Sequence, residues 1–378
     1  MADVLIVAAE PSGDALGAKL ADSLRRLDAD VSLEGIGGEA MEAVGLPSSV
    51  STDGLAILGL VEGLRAYPFV LQKVREVSDH ILGRDPRAVV LIDSWGFMVR
   101  VAKRLKRKGY RGRVIKYVAP QVWAMRSGRA KVLARHVDHL LSTQVMDAPY
   151  FNAVGLPQTY VGNAVFDTDW SAGDGAAFRA RHRLGDAPVL GVFLGSRPAE
   201  IERIGPAILR TALGVQARLS DVRLAFSIVE PVRDAVEHLL DDVEGLRCGP
   251  DALTDLFAAS DAALACSGTI TSQLAAAGVP TVVVYRLQPL TFAIASRLFK
   301  PDHISLVNIA AGEALMPEFM QHDIDTSAPA DAVVALLQDE KGRETVSRAL
   351  KEQTKAMTAP SAASDAAAAE VLRLIASP

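Results

Sequence analysis

Four short segments of this chain place glycine, hydroxyl, carboxylate or guanidinium groups directly after apolar β-rich runs. In open α/β sheets ligands bind outside the carboxyl ends of the strands, so these segments are the candidates for chemistry. The first is Glu10-Pro11-Ser12-Gly13-Asp14, which follows the run Val4–Ala9 and opens a helix. Ser12 or Asp14 can cap that helix, Gly13 lets the backbone approach a ligand, and the free N–H groups favour an anion. The second is Asp93, at the end of Ala88–Ile92. A partly desolvated carboxylate there is suited to act as a general base; the alternative is a helix cap. The third, Gly195-Ser196-Arg197, follows Val189–Phe193 and combines close backbone approach with a guanidinium that can grip phosphate oxygens in a bidentate manner. The fourth, Ser267-Gly268-Thr269, follows Ala262–Ala265 and opens another helix. Each alone can be an ordinary strand-to-helix turn. Two anion-favouring turns in one half of the chain fit a nucleoside diphosphate.

Other chemistries lack their residues. No GxGxxG or Walker loop follows the first strand, which leaves a dinucleotide or ATP site unsupported. The seven histidines show no metal-ligand spacing, and His136 and His139 read as structural. Cys248 and Cys266 sit in no CxxC or Cys/His cluster, so neither a disulfide framework nor a metal site is expected; Cys266 reads as a small buried residue. No GxSxG elbow occurs.

The elements that must position these loops alternate between short apolar strands and longer helical patterns from end to end, the signature of parallel sheets made of βαβ units. The first half predicts strands at Val4–Ala9, Val31–Gly35, Ala88–Ile92, Val114–Val118, His139–Ser142 and Thr159–Val161. Helices are predicted at about Asp14–Leu27, Tyr67–Leu82 and Val99–Lys108. The second half restarts with Val189–Phe193, Arg223–Ser227, Ala262–Ala265 and Thr281–Tyr285. A turn-rich stretch, Gly155 to Gly175, separates the halves. We expect one domain over residues 1–165 and a second over 170–350, facing each other across a cleft. A terminal amphipathic helix, at about 355–378, is expected to return to the first domain.

Of the 378 residues 49% are apolar and 22% charged, enough apolar material for two cores and no case for long disorder. No apolar stretch reaches the roughly 18 residues of a membrane span, and the two cysteines fit a reducing cytoplasm. The net charge of −5 hides an asymmetry. Between Asp93 and Asp138 there is no acid and thirteen Lys or Arg, including Arg100, Lys103, Arg104, Lys106, Arg107, Lys108, Arg111, Arg113 and Lys116. Such a field suits a phosphorylated ligand or an anionic membrane surface, or is a solvated helix face. Few aromatics interleave with it, which weighs against nucleic acid.

Taken in order, AAEPSGD (Ala8–Asp14), GIGG followed by Met41, LID (Leu91–Asp93), YVAPQVWAMR (Tyr117–Arg126), YVGN (Tyr160–Asn163), GSR (Gly195–Arg197), SGT (Ser267–Thr269), AGVPTVVVYR (Ala277–Arg286) and SLVNIAAG (Ser305–Gly312) resemble the lipid-A-disaccharide synthase family over residues 4 to 340. The resemblance implies two Rossmann-like domains of GT-B architecture and an inverting, metal-independent, cofactor-free transferase. Its donor would be UDP-2,3-diacylglucosamine, and its acceptor the 6-hydroxyl of 2,3-diacylglucosamine 1-phosphate. It casts Asp93 as the base, Arg197 as the stabiliser of departing UDP, Asn308 as an orienting asparagine, and Gln273 as the ribose contact. Ser12, Gly13, Asp14, Gly195, Ser196, Ser267, Gly268 and Thr269 would complete the substrate contacts. It further implies a peripheral enzyme on the cytoplasmic face of the inner membrane, docked through the basic interval and the apolar stretch Leu55–Leu71, and a homodimer with exchanged C-terminal segments.

The chain departs from the family pattern at Ala9, at Trp95-Gly96, where a second carboxylate is lost, and at Asn163 and Leu194. It also departs at Gln273, which replaces a glutamate, and at Glu313, which replaces an arginine. A paralogous transferase with another lipid or sugar acceptor, and a non-catalytic nucleotide-sugar binder, are the alternatives. A UDP-sugar 2-epimerase shares the architecture but would need further acid and histidine groups.

Overall fold

The computed structural model describes residues 2–52, 54–55, 67–288, 292, 296–299 and 301–376. The chain forms two compact units, one of Met1–Ala164 with Ala359–Pro378, the other of Val165–Thr358.

In the first unit six parallel strands follow the order β2-β1-β3-β4-β5-β6. They are β1 Val4–Val7, β2 Leu33–Ile36, β3 Ala88–Ile92, β4 Arg113–Tyr117, β5 His139–Ser142 and β6 Gln158–Tyr160. The central strands β1 (VLIV) and β3 (AVVLI) are buried at every position, because helices cover both faces and an unbroken apolar run is what such a strand needs. Their registers, Val4↔Leu33 and Val4↔Ala88, bring the carboxyl ends of β1 and β3 side by side. Alternate residues feed opposite faces: Val4 and Ile6 pack with Leu20, Leu24 and Val371, and Leu5 and Val7 with Val77, Ile81 and Leu105. The terminal helix Ala363–Ala376 lies against the first helix, Pro11–Leu27, where Ser23 Oγ donates to Asp365 Oδ1 at 2.7 Å and Arg26 pairs with the same carboxylate.

The second unit repeats the plan as β12-β11-β10-β7-β8-β9. Its strands are β7 Val189–Phe193, β8 Arg223–Ser227, β9 Leu246–Cys248, β10 Ala262–Cys266, β11 Thr281–Tyr285 and β12 Glu318–Met320. The three-residue edge strands β9 and β12 carry Arg247 and Glu318 and were not expected from the apolar pattern. Here too the strand order reverses, between β7 and β10, which are paired Ala262↔Leu190.

Two local expectations are corrected. The first helix starts at Pro11 with Glu10 at its N-cap, and neither Ser12 nor Asp14 caps it. Proline at the first helical position, with its preset φ and no N–H to satisfy, moves the start ahead of both residues. The helix expected from about Val99 begins at Trp95 and runs to Arg107, because Phe97 and Met98 already belong to its buried face with Val101, Ala102 and Leu105.

Candidate functional site

The turn after β7 and the turn after β10 line one cavity of about 340 Å³ in the second unit. Gly195, Ser196, Arg197, Ser267, Gly268, Thr269 and Gln273, all named from sequence, lie on its wall. The position is the point where the strand order reverses, the usual ligand crevice of such a sheet. Gly195 has φ +121°, a backbone region closed to other residues, and a Cβ there would sit 3.0 Å from Glu200 Oε2. Arg197 caps the helix Pro198–Arg218; its side chain is 78% exposed and its Nη1 donates to Glu200 Oε1 at 2.8 Å. Gly268 is the N-cap of Thr269–Ala277, so the first amides of that helix open toward the same space. Ser227, Val229, Leu253 and Ile270 add a partly apolar wall. Cys266 also lines the cavity; burial and the Glu200 carboxylate push its thiol up to about 12, so it stays protonated.

Asn308 is elsewhere in the unit. It is completely buried, its Nδ2 donating to Met316 O at 2.7 Å and Glu318 Oε1 at 2.9 Å, while its Oδ1 accepts the Met316 N–H at 3.0 Å. The amide is spent on tying the helix Leu306–Ala311 to β12, and direct contact with a substrate would require breaking those bonds.

In the first unit the ends of β1 and β3 bring Ser12, Gly13 and Asp93 together; a Cβ on Gly13 would lie 3.5 Å from Ile92 Cγ2. Ser12 is exposed and Asp93 half-buried. Asp14 is buried beneath them and faces away from solvent. Its carboxylate accepts the N–H groups of Gly38 at 2.8 Å, Ala40 at 2.8 Å and Met41 at 3.3 Å, closing the start of the short helix Glu39–Ala43. The GIGG segment and the first loop are therefore one structure.

The backbone at Asp93 is strained. Asp93 and Ser94 have φ +45° and +36°, and Val118, after β4, has φ +68°. Left-handed conformations of non-glycine residues cost about 1–3 kcal/mol each and persist only when their surroundings hold them. The sequence does not reveal the partner of this loop: Lys116, only 1% exposed, donates from Nζ to Asp93 O at 2.7 Å, Tyr117 O at 2.9 Å and Leu91 O at 3.3 Å. Burial pushes its ammonium down to about 7, against the attraction of the Asp93 and Glu10 carboxylates. The clue available in the sequence was its register, two residues from inward-facing Val114 in an apolar strand.

Lys116 thus drops out of the basic surface. Arg104 pairs with Asp79 at 2.6 Å, Lys106 reaches Asp138 at 3.4 Å and Arg100 bonds the Gly96 carbonyl, while Lys103, Lys106, Arg107, Lys108 and Arg111 are exposed. Of the apolar stretch Leu55–Leu71, residues 56–66 lie outside the described residues. No described helix is long and apolar enough to cross a membrane.

The model of the lipid-A-disaccharide synthetase family matches residues 4–372. The lipid-A-disaccharide synthase of Rhodospirillum centenum is 40% identical over 346 residues, covering 90% of this chain and 86% of the relative. The chain belongs to the lipid-A-disaccharide synthase family. It is accordingly a glycosyltransferase of lipid A biosynthesis, acting on a nucleotide-sugar donor and a glycosyl acceptor. Solved structures agree on the fold alone. The calicheamicin glycosyltransferase CalG4 superimposes with TM-score 0.63 at 14% identity, covering 100% of this chain and 99% of its own. The Methanocaldococcus jannaschii UDP-GlcNAc 2-epimerase superimposes with TM-score 0.54 at 12% identity, covering 94% and 99%. The GT-B architecture of two Rossmann-like units expected from sequence is the one observed.

Proposed function

We propose that the chain transfers 2,3-diacylglucosamine from its UDP derivative to the 6-hydroxyl of 2,3-diacylglucosamine 1-phosphate, with inversion, giving the β-1′,6 disaccharide and UDP. The observation that carries this reading is the single cavity in which Gly195, Ser196, Arg197, Ser267, Gly268, Thr269 and Gln273 meet. Amides at the start of Thr269–Ala277 and the Arg197 guanidinium supply donors for a diphosphate, and they gain most as charge develops on departing UDP. Gln273 can hydrogen-bond ribose hydroxyls, accepting less strongly than a carboxylate would. Asp93 takes the acceptor hydroxyl proton as that oxygen attacks the anomeric carbon from the face opposite UDP, and the bond from that carbon to the diphosphate breaks. Ser12 and Gly13, at the neighbouring strand end, bind the acceptor. Asp14 and Asn308 serve as braces, Asp14 for the acceptor loop and Asn308 for the segment 305–318. No metal or cofactor enters this scheme.

The exposed cations Lys103, Lys106, Arg107, Lys108 and Arg111 support peripheral docking on the anionic cytoplasmic face of the inner membrane, each adding about 1 kcal/mol near such a surface. We also infer a homodimer, on the resemblance alone. The reaction is tested with purified protein, UDP-2,3-diacylglucosamine and the acylated glucosamine 1-phosphate, beside Asp93→Ala and Arg197→Ala. Disaccharide and UDP formed by the parent, and lost in both variants, support the reading. UDP binding without disaccharide would replace it by transfer to another acceptor.

A further inference from the structure

We propose that Lys116 is a positioning residue for Asp93: its buried amine, bonded to the carbonyls that end β3 and β4, holds the left-handed turn at Asp93 and Ser94 from which the carboxylate meets the acceptor. The inference rests on the assignment of Asp93 as the base.

Two observations carry it. A lysine in the interior of a parallel sheet is costly, and aliphatic residues of similar volume fill such positions without that cost. This one makes three hydrogen bonds, all to main-chain oxygens and none to a carboxylate, so it serves the path of the backbone. The backbone it touches is the strained part of the unit. Asp93 O is one of its acceptors, Asp93 N–H donates to Tyr117 O at 2.9 Å, and Tyr117 O is a second acceptor of the lysine. Asp93, Tyr117 and Lys116 thus close a ring of hydrogen bonds across the ends of two neighbouring strands. Asp93 and Ser94 on one strand and Val118 on the other leave that ring at positive φ. The Asp93 carboxylate is also close enough to stabilise the charged amine, so the same residue that fixes the turn senses the base electrostatically.

The test compares the full chain with Lys116→Met, close in volume but without donors, with Lys116→Gln, which keeps a shorter donor, and with Asp93→Ala. UDP binding is followed by calorimetry, kcat and acceptor KM by disaccharide formation, and amide exchange of residues 93–98 by mass spectrometry. The expected result for Lys116→Met is UDP affinity and acceptor KM within about twofold of the parent, kcat down by about 100-fold, and faster exchange of the 93–98 segment. Lys116→Gln should fall between, and it carries the test should the Met variant fail to fold. A folded variant with parental kcat and parental exchange, while Asp93→Ala is inactive, would overturn this inference and leave the base assignment standing. A kcat loss matched by an equal loss of UDP affinity would overturn it in favour of general structural damage. Parental kcat in Asp93→Ala would overturn the base assignment, and with it the catalytic sense of this one.

Discussion

Glu200 reaches both donors of the GSR turn at once, its Oε1 accepting from Arg197 Nη1 at 2.8 Å and its Oε2 from the Ser196 N–H at 3.2 Å. In the function proposed above these groups bind the diphosphate, and on that reading a carboxylate already stands where phosphate oxygens would stand. An incoming diphosphate must displace it or share Arg197 with it, against like-charge repulsion.

Glu200→Gln should therefore bind UDP more tightly. The glutamine keeps one acceptor oxygen, so it can hold only one of the two donors, more weakly and without charge, and a difference of about 1 kcal/mol corresponds to roughly fivefold in affinity. The pair of exposed Arg197 with half-buried Glu200 contributes little to folding, so thermal melting should move by no more than the equivalent of about 1 kcal/mol. Titration calorimetry with UDP decides the matter. Weaker binding in the variant would mean that Glu200 chiefly orients Arg197 for the ligand.

Asp14 offers a separate prediction because its carboxylate is committed to Gly38, Ala40 and Met41. Asp14→Ala leaves three N–H groups at a partly buried helix start without that partner, and should lower the unfolding free energy by about 1–3 kcal/mol. UDP affinity, proposed for the other unit, should not change. Urea denaturation and UDP titration on the same sample check both halves. Unchanged stability together with a raised acceptor KM would restore Asp14 to direct substrate contact.

Where sequence and structure agree, the reason is burial. Ala88–Ile92, His139–Ser142, Val189–Phe193, Arg223–Ser227 and Thr281–Tyr285 were legible residue for residue, since strands of a covered parallel sheet are written as short apolar runs. Leu246–Cys248 and Glu318–Met320 were not, because an edge strand of three residues with a charge in it has no such signature. The glycine turns after β7 and β10 were readable by type and position, and their convergence on one cavity follows from those strands being neighbours. Lys116 was counted with the surface charges because composition treats every lysine alike. Only the pairing of β3 with β4, Leu91↔Lys116, places it beneath the Asp93 turn. The bonds of Asp14 to Gly38 and of Asn308 to Met316 were hidden for a related reason: a motif gives a residue's neighbours in sequence, whereas Gly38 and Met316 are neighbours in space.

Asp147 provides the pH test. It is 1% exposed, and burial pushes its carboxyl up to about 7. The Gln144 amide and the Trp123 indole only partly offset that burial. Between the ordinary value of 3.8 and about 7 the folded chain keeps a proton that the unfolded chain has released, so this group's contribution to stability is complete at low pH and is lost as pH rises through that window. Asp147→Asn removes the titration. The stability of the variant relative to the parent should therefore climb between about pH 4 and pH 7, by up to about 4 kcal/mol for a shift of this size. Lys116 works in the opposite sense and at higher pH. Its folded value of about 7 lies below the ordinary 10.5, so stability rises with pH above 7. His139, held low by burial, also adds stability as pH rises toward 6.5, but it is common to both proteins and cancels in the comparison. Urea unfolding of parent and variant at pH 4.5, 5.5 and 7 isolates the Asp147 contribution. A difference that stays flat across those three values would mean that Asp147 is ionised in the folded chain and held by partners of its own.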